Sequence, residues 1–114
     1  MTLYLCRMDV SLPHDLDPAV RADLLRREAD YSGAFQRDGR WKELWRVVGA
    51  YANYSVLDVR DHAELHEILS GLPLFPYMRI SVVPLAPHPN RVPAPPAAPQ
   101  STDHTDTSTA GGTP

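Results

Sequence analysis

Trp41-Lys42-Glu43-Leu44-Trp45-Arg46-Val47-Val48-Gly49-Ala50-Tyr51-Ala52-Asn53-Tyr54-Ser55-Val56-Leu57-Asp58-Val59 is the stretch on which the fold turns. Its two runs, Trp41 to Val48 and Tyr51 to Val59, are rich in β-forming residues, and Gly49-Ala50 between them serves as a hairpin connection. On the N-terminal side a helix is expected over about 18 to 38, with Asp17 as its cap, Pro18 at its first position and Gly39 at its end. Before it, Leu3 to Val10 reads as an apolar strand, stopped by Leu12-Pro13-His14-Asp15. On the C-terminal side a second helix fits about 61 to 70, between Asp61 and Gly71. Pro76 then opens a last strand, Tyr77 to Val83, closed by Pro84.

The order β-α-β-β-α-β predicts an α+β, ferredoxin-like fold, a four-stranded antiparallel sheet with two helices on one face. Val20, Leu24, Tyr31 and Phe35 fall on one stripe of the first helix, and Leu65, Ile68, Leu69 and Leu72 on one stripe of the second. These stripes are the expected core faces. The other face of the sheet is left bare, and in a unit this small it suits an interface with another copy, so a homo-oligomer is expected.

At 114 residues the chain fits one domain. Residues 1–90 form the expected folded unit. The remainder, 91–114, is a Pro/Ala/Ser/Thr-rich run too poor in apolar groups to offset the entropy of ordering, and a disordered tail is expected there. A net charge of −3 lacks the basic excess of a nucleic-acid binder. The single cysteine, Cys6, excludes an internal disulfide and a multi-cysteine zinc site, and reads as a small buried hydrophobe. With no basic leader and no window approaching about 18 apolar residues, no membrane segment is expected and a cytoplasmic location is.

Glu28 is the most informative single residue. On a helical wheel it lies about 40° from Leu24, at the edge of the apolar stripe. There it either faces the sheet, where burial raises its pKa and makes it a competent base, or bends out to solvent or to a partner such as Arg27. Arg7, Arg46 and Arg79 each sit in a strand, where a guanidinium either makes a surface ion pair or receives a carboxylate through two parallel hydrogen bonds. Trp41, Trp45, Tyr51, Tyr54 and Tyr77 supply rings that pack in the core or wall a pocket. His66 flanks the apolar face of the second helix. Its i, i+4 partner His62 has no evident third ligand, so no metal is expected. There is no glycine-rich phosphate loop and no Gly-x-Ser-x-Gly, and no cofactor is expected.

Cys6-Arg7-Met8-Asp9-Val10-Ser11-Leu12-Pro13, Gln36-Arg37-Asp38-Gly39-Arg40-Trp41, Leu44-Trp45-Arg46-Val47-Val48-Gly49-Ala50-Tyr51-Ala52-Asn53-Tyr54-Ser55 and above all Leu65-His66-Glu67-Ile68-Leu69-Ser70-Gly71-Leu72-Pro73-Leu74-Phe75-Pro76-Tyr77-Met78 closely resemble the muconolactone delta-isomerase family. The resemblance runs from about residue 3 to His88-Pro89. It implies a cofactor-free isomerase of the β-ketoadipate pathway that moves a ring double bond of a small lactone, (S)-muconolactone, and assembles as a ferredoxin-like homodecamer. It also implies that Glu28 is the counterpart of a family glutamate. The roles that follow are Glu28 as the shuttling base, Arg46 as the anchor for the acetate carboxylate with Arg7 as its substitute, Tyr77, His66 or Asn53 as donor to the enolate oxygen, and Trp45 as a water-excluding wall. Two other readings keep the fold: an isomerase of a methyl- or chloro-substituted lactone, and a dimeric binding module without turnover. Ala86-Pro87-His88-Pro89-Asn90-Arg91 departs from the family pattern in lacking a basic residue directly before His88.

Overall fold

The structure, a computed structural model, describes residues 1–93. Its elements follow the expected order: β1 (Thr2–Val10), α1 (Pro18–Asp38), β2 (Trp41–Arg46), β3 (Ala52–Val59), α2 (His62–Ser70), a 3₁₀ turn at Phe75–Tyr77 and β4 (Met78–Leu85). The strands form one antiparallel sheet in the order β2-β3-β1-β4, with the two hydrophobic-faced helices packed on one side. Arg91, Val92 and Pro93 are exposed and carry no secondary structure, and the rest of the expected tail lies outside the described residues. No helix among the described residues is long and apolar enough to cross a membrane.

Local chemistry accounts for the boundaries. The Asp17 carboxylate accepts from the backbone N–H groups of Ala19 and Val20, at 3.1 and 3.3 Å, and Pro18 occupies a position that needs no donor. Gly39 ends α1 at φ +91°, a left-handed conformation that glycine adopts without steric cost. Asp61 caps α2 through the Glu64 N–H at 2.9 Å. Glu64 is itself buried, and its carboxyl is held below the usual range first by the Arg60 backbone N–H and then by the Arg40 guanidinium.

The core lies between sheet and helices. Tyr4, Cys6 and Met8 alternate inward along β1, Leu57 and Val59 do so on β3, and Leu65, Ile68, Leu69 and Leu72 close over them from the α2 side. Cys6 has no solvent exposure, and burial pushes its thiol up to about 11, which leaves it protonated and unreactive.

Three boundaries differ from the sequence reading. Val20 is 48% exposed, because burial on α1 begins one turn later at Leu24. The hairpin connection is longer than Gly49-Ala50: β2 stops at Arg46, β3 starts at Ala52, Gly49 turns at φ +82°, and Val48 points into solvent. Tyr77 belongs to the 3₁₀ turn, and Pro84 lies within β4 opposite Tyr4 instead of closing it. A strand bonded only to β1 has a free edge, where a residue without an N–H is tolerated.

The far face of the sheet is uncovered, as the element order implies. Strand register places Leu3, Leu5 and Arg7 on it together with Tyr54, Val56, Val83 and Leu85. Beneath the helices, α1 is tied to the end of α2 by the Tyr31 hydroxyl, which donates to the Ile68 carbonyl at 2.7 Å. A Cβ on Gly71 would stand 2.3 Å from that hydroxyl oxygen. Gly71→Ala is therefore expected to force the Tyr31 ring aside and lower stability by about 1–3 kcal/mol, read as a reduced midpoint in thermal or denaturant unfolding.

Candidate active site

The row Leu24, Glu28, Ser32 runs along α1 at intervals of four, and Leu24 and Ser32 are buried. Glu28 thus lies in the middle of the buried stripe, one turn from each. Its partner comes from far along the chain. After α2 the backbone passes through Leu72 and Pro73 to the buried Leu74, whose N–H donates to Glu28 Oε1 at 2.9 Å. The segment is pinned in turn by Phe75 N–H to the Leu72 carbonyl at 2.9 Å and Tyr77 N–H to the Leu74 carbonyl at 2.8 Å. Burial pushes the Glu28 carboxyl above the ordinary carboxylate range, and the single Leu74 N–H only partly opposes this. Arg27, the alternative partner, pairs instead with Asp23 at 2.9 Å.

Glu28 lines a cavity of about 220 Å³ between α1, the β2–β3 hairpin and the Leu74–Met78 segment. That is smaller than the ~300–1,000 Å³ of drug-sized ligand sites and suits a small metabolite. Met8, Leu25, Leu44, Leu74 and Met78 give it apolar walls, with Trp41 and Ala52 behind. The polar side chains that join Glu28 there are Ser32, Arg46, Tyr51 and Asn53. Arg46 and Asn53 are directly paired across β2 and β3, so both project to the helix side of the sheet. The Arg46 guanidinium lies over the Tyr51 ring, 5.6 Å from its centroid, and has no carboxylate partner among the described residues. A half-buried carboxylate, a guanidinium without a carboxylate partner among the described residues, and an amide therefore converge on one apolar cavity. This set can exchange a proton with a carbon acid, stabilise the resulting oxyanion and hold an anionic substituent.

Of the residues singled out from the sequence, the structure brings Glu28, Arg46 and Asn53 together. It does not bring Arg7, Trp45, Tyr77 or His66 to them. Arg7 lies on the bare sheet face, bound to Asp9 at 2.9 Å and set over the Tyr54 ring. Trp45 is paired with Tyr54 on that same face, is 64% exposed, and donates its indole N–H to Glu43 at 2.9 Å. Arg79 is there too, opposite Asp9. Neighbours on a strand face opposite ways, so once Arg46 points to the helices Trp45 cannot. Tyr77 borders a separate open groove with Asp9, Ser11 and Arg79. His66 is exposed on α2, as is His62. Among the described residues no three His, Cys, Asp or Glu side chains gather as a metal-binding group. Ser32 joins the cavity unannounced by any motif, its place one turn after Glu28 being the available signal, and Tyr51 lies there instead of in the core because hairpin turn geometry decides its direction.

The family model for muconolactone delta-isomerase matches residues 2–91. A muconolactone delta-isomerase from Cupriavidus pinatubonensis is 58% identical over 90 residues, covering 79% of this chain and 98% of the relative. One from Rhodococcus opacus is 53% identical over 88 residues, covering 77% and 95%. A crystal structure of muconolactone isomerase superposes with a TM-score of 0.77 at 45% identity, covering 82% of this chain and 97% of the other. The chain belongs to the muconolactone delta-isomerase family.

The raised pKa of Glu28 has a consequence for stability. Where folding raises the pKa of an acid, the folded state binds the proton more tightly. Stability is then lost as pH climbs from the unfolded value of 4.5 through the folded one. Glu28→Gln removes that titration while keeping an acceptor for the Leu74 N–H. The variant is expected to gain stability relative to the parent between pH 4 and pH 7, a trend that paired melting curves at about those two pH values would reveal.

Proposed function

We propose that the protein is a muconolactone delta-isomerase, converting (S)-muconolactone to 3-oxoadipate enol-lactone in the β-ketoadipate pathway of aromatic catabolism. The observation that carries this reading is the Glu28 carboxylate, half-buried in an apolar cavity and opposed by a single N–H donor.

The substrate is an unsaturated lactone with an acetate arm. Its ring proton beside the arm is acidic because the charge left by its removal spreads through the double bond to the carbonyl oxygen. Glu28 takes that proton, giving a dienolate, and returns it at the carbon next to the carbonyl. The double bond moves, and no electron leaves the molecule. A carboxylate raised above its ordinary pKa is a better base for this step, and after protonation it is the acid that completes it. Asn53, the one of the three suggested donors that lines the cavity, is assigned to the enolate oxygen. Arg46, which has no carboxylate partner among the described residues, is assigned to the acetate arm. The apolar walls limit exchange of the held proton with water. The reaction needs no redox partner, since proton and double bond are rearranged within one molecule.

The uncovered sheet face supports assembly with copies of the same chain, up to the decamer that the family resemblance implies. Trp45 is 64% exposed there, Val83 50%, Tyr54 39% and Leu85 39%, a grouping of exposed apolar side chains of the kind that marks an interaction surface. Analytical ultracentrifugation should give a multiple of the 12.7 kDa chain mass. Trp45→Asp with Val83→Asp should drive the protein toward the single chain, and an unchanged monomeric mass for the parent would remove the assembly.

Turnover of muconolactone, followed by ultraviolet absorbance and by NMR in deuterated water, tests the activity itself. Glu28→Gln is expected to lose roughly 10²–10⁴-fold in kcat while remaining folded. Arg46→Met should raise KM chiefly. Binding of the lactone without product would favour the binding-module reading instead.

A further inference from the structure

We propose that Ser55, a residue outside the cavity, is the positioning residue that makes Asn53 a hydrogen-bond donor to the substrate. The inference rests on the assignment of this cavity as the isomerase centre and deepens it by saying which end of the Asn53 amide meets the lactone.

Ser55 follows Asn53 by two residues on β3, so both side chains stand on the helix side of the sheet. It is paired with Cys6 in the adjacent strand, and both residues have no solvent exposure. A hydroxyl in such a place cannot give its proton to water, and leaving it unused costs the desolvation of a polar group. Its hydrogen bond among the described residues is to Asn53 Oδ1, at 2.8 Å. With the Ser55 O–H donating, the Asn53 oxygen is turned back along the strand toward the buried layer, and Nδ2 is left as the free end of the amide.

Asn53 lines the cavity, so its free end is what the ligand meets. An NH₂ group there has the sign required by an oxygen that gains negative charge as the proton leaves. The flipped amide would present a carbonyl oxygen, which repels that charge. A carboxamide on a strand is otherwise free to adopt either orientation, because the two are almost the same shape. The buried hydroxyl removes that choice before the substrate arrives, and a fixed donor needs no reorganisation at the moment of reaction.

The experiment is a double-mutant cycle on the full chain, with kcat and KM measured for the parent, Ser55→Ala, Asn53→Ala and the double variant, and melting midpoints recorded alongside. Asn53→Ala is expected to lower kcat by about 10²-fold, the usual loss when one oxyanion donor is removed. Ser55→Ala should lower kcat by about tenfold with KM within about twofold, and should have no further effect in the Asn53→Ala background. Ser55→Cys, which keeps the volume and weakens the donor, should behave as Ser55→Ala does, and it carries the comparison if the alanine variant does not fold. Losses that multiply in the double variant, or a folded Ser55 variant with undiminished kcat, would overturn the proposal. If Glu28→Gln is inactive while the Ser55 variants are not, the isomerase assignment stands and this inference alone falls. A parent chain that does not turn muconolactone over removes both.

Discussion

The contact on which the site depends is the hydrogen bond from the Leu74 N–H to Glu28, 46 residues away in sequence. A carboxylate in an apolar cavity without any donor would be costly enough to rearrange or to stay protonated across the working range. One supported by several donors or an arginine would be stable but a poor base. A single backbone N–H lies between those limits, and it comes from a segment that cannot easily drift, since Leu74 is buried and both flanking turns are hydrogen-bonded. Three residues along α1, Tyr31 reaches the Ile68 carbonyl at the end of α2. The two contacts lie on neighbouring positions of one helix face, so α1 is latched to α2 and to the segment after it at adjacent points. The same latch that holds the helices over the sheet fixes the Glu28 carboxylate at the cavity.

Charge elsewhere in the domain is arranged in the opposite sense. Asp9 is held by Arg7, Asp23 by Arg27 and Arg26, Asp38 by Arg40, and each of these carboxyls lies below the usual range. Glu64 is more deeply buried than the half-buried Glu28 but is served by the Arg60 N–H and the Arg40 guanidinium, and it too is shifted down. The less buried of the two glutamates is thus the one whose carboxyl is raised, because of what surrounds it. Glu64 fastens the start of α2 to the α1–β2 junction through Arg40, which also lies over the Phe35 ring. Glu28 has no salt-bridge partner among the described residues, and burial raises its proton affinity. Arginines spent on structural carboxylates leave Arg46 as the guanidinium at the cavity with a free face for an anion.

Much of the fold was legible because the signals were local. Asp17-Pro18 and Gly39 set the ends of α1, the Asp61 cap set the start of α2, and two β-rich runs between helices left few topologies to choose from. What escaped was set by tertiary context. Val20 belongs to the right stripe but to a turn left half exposed, and Pro84 stays in a strand because that strand is at the edge. For the candidate site, periodicity pointed to Glu28 and residue type to Arg46, and both line the cavity, whereas Arg7 and Trp45, picked by residue type without regard to strand alternation, lie on the bare sheet face. The alternation of Cys6 and Met8 around Arg7 already puts that guanidinium on the face away from the core. Trp45 required a further step, since the register shift between Trp41 and Glu43 breaks the count from the buried Trp41, and only the pairing with β3 restores it.

That register shift also explains how one short strand serves both the core and the cavity. With strict alternation from Trp41, residue 45 would face the helices and Arg46 would face the bare side. The irregularity in β2 inverts the parity after Glu43, so that Trp41 is buried under α1 while Leu44 and Arg46 follow on the helix side farther along. The bulge thus exchanges a bulky indole for a guanidinium at the mouth of the cavity, and moves the indole to the bare face of the sheet. β-bulges re-aim side chains without lengthening the fold, and here the re-aimed residue is the one able to receive a carboxylate. A β2 without the bulge would still pair with β3, but it would turn Trp45 toward the helix side, and the cavity would lose the Arg46 guanidinium.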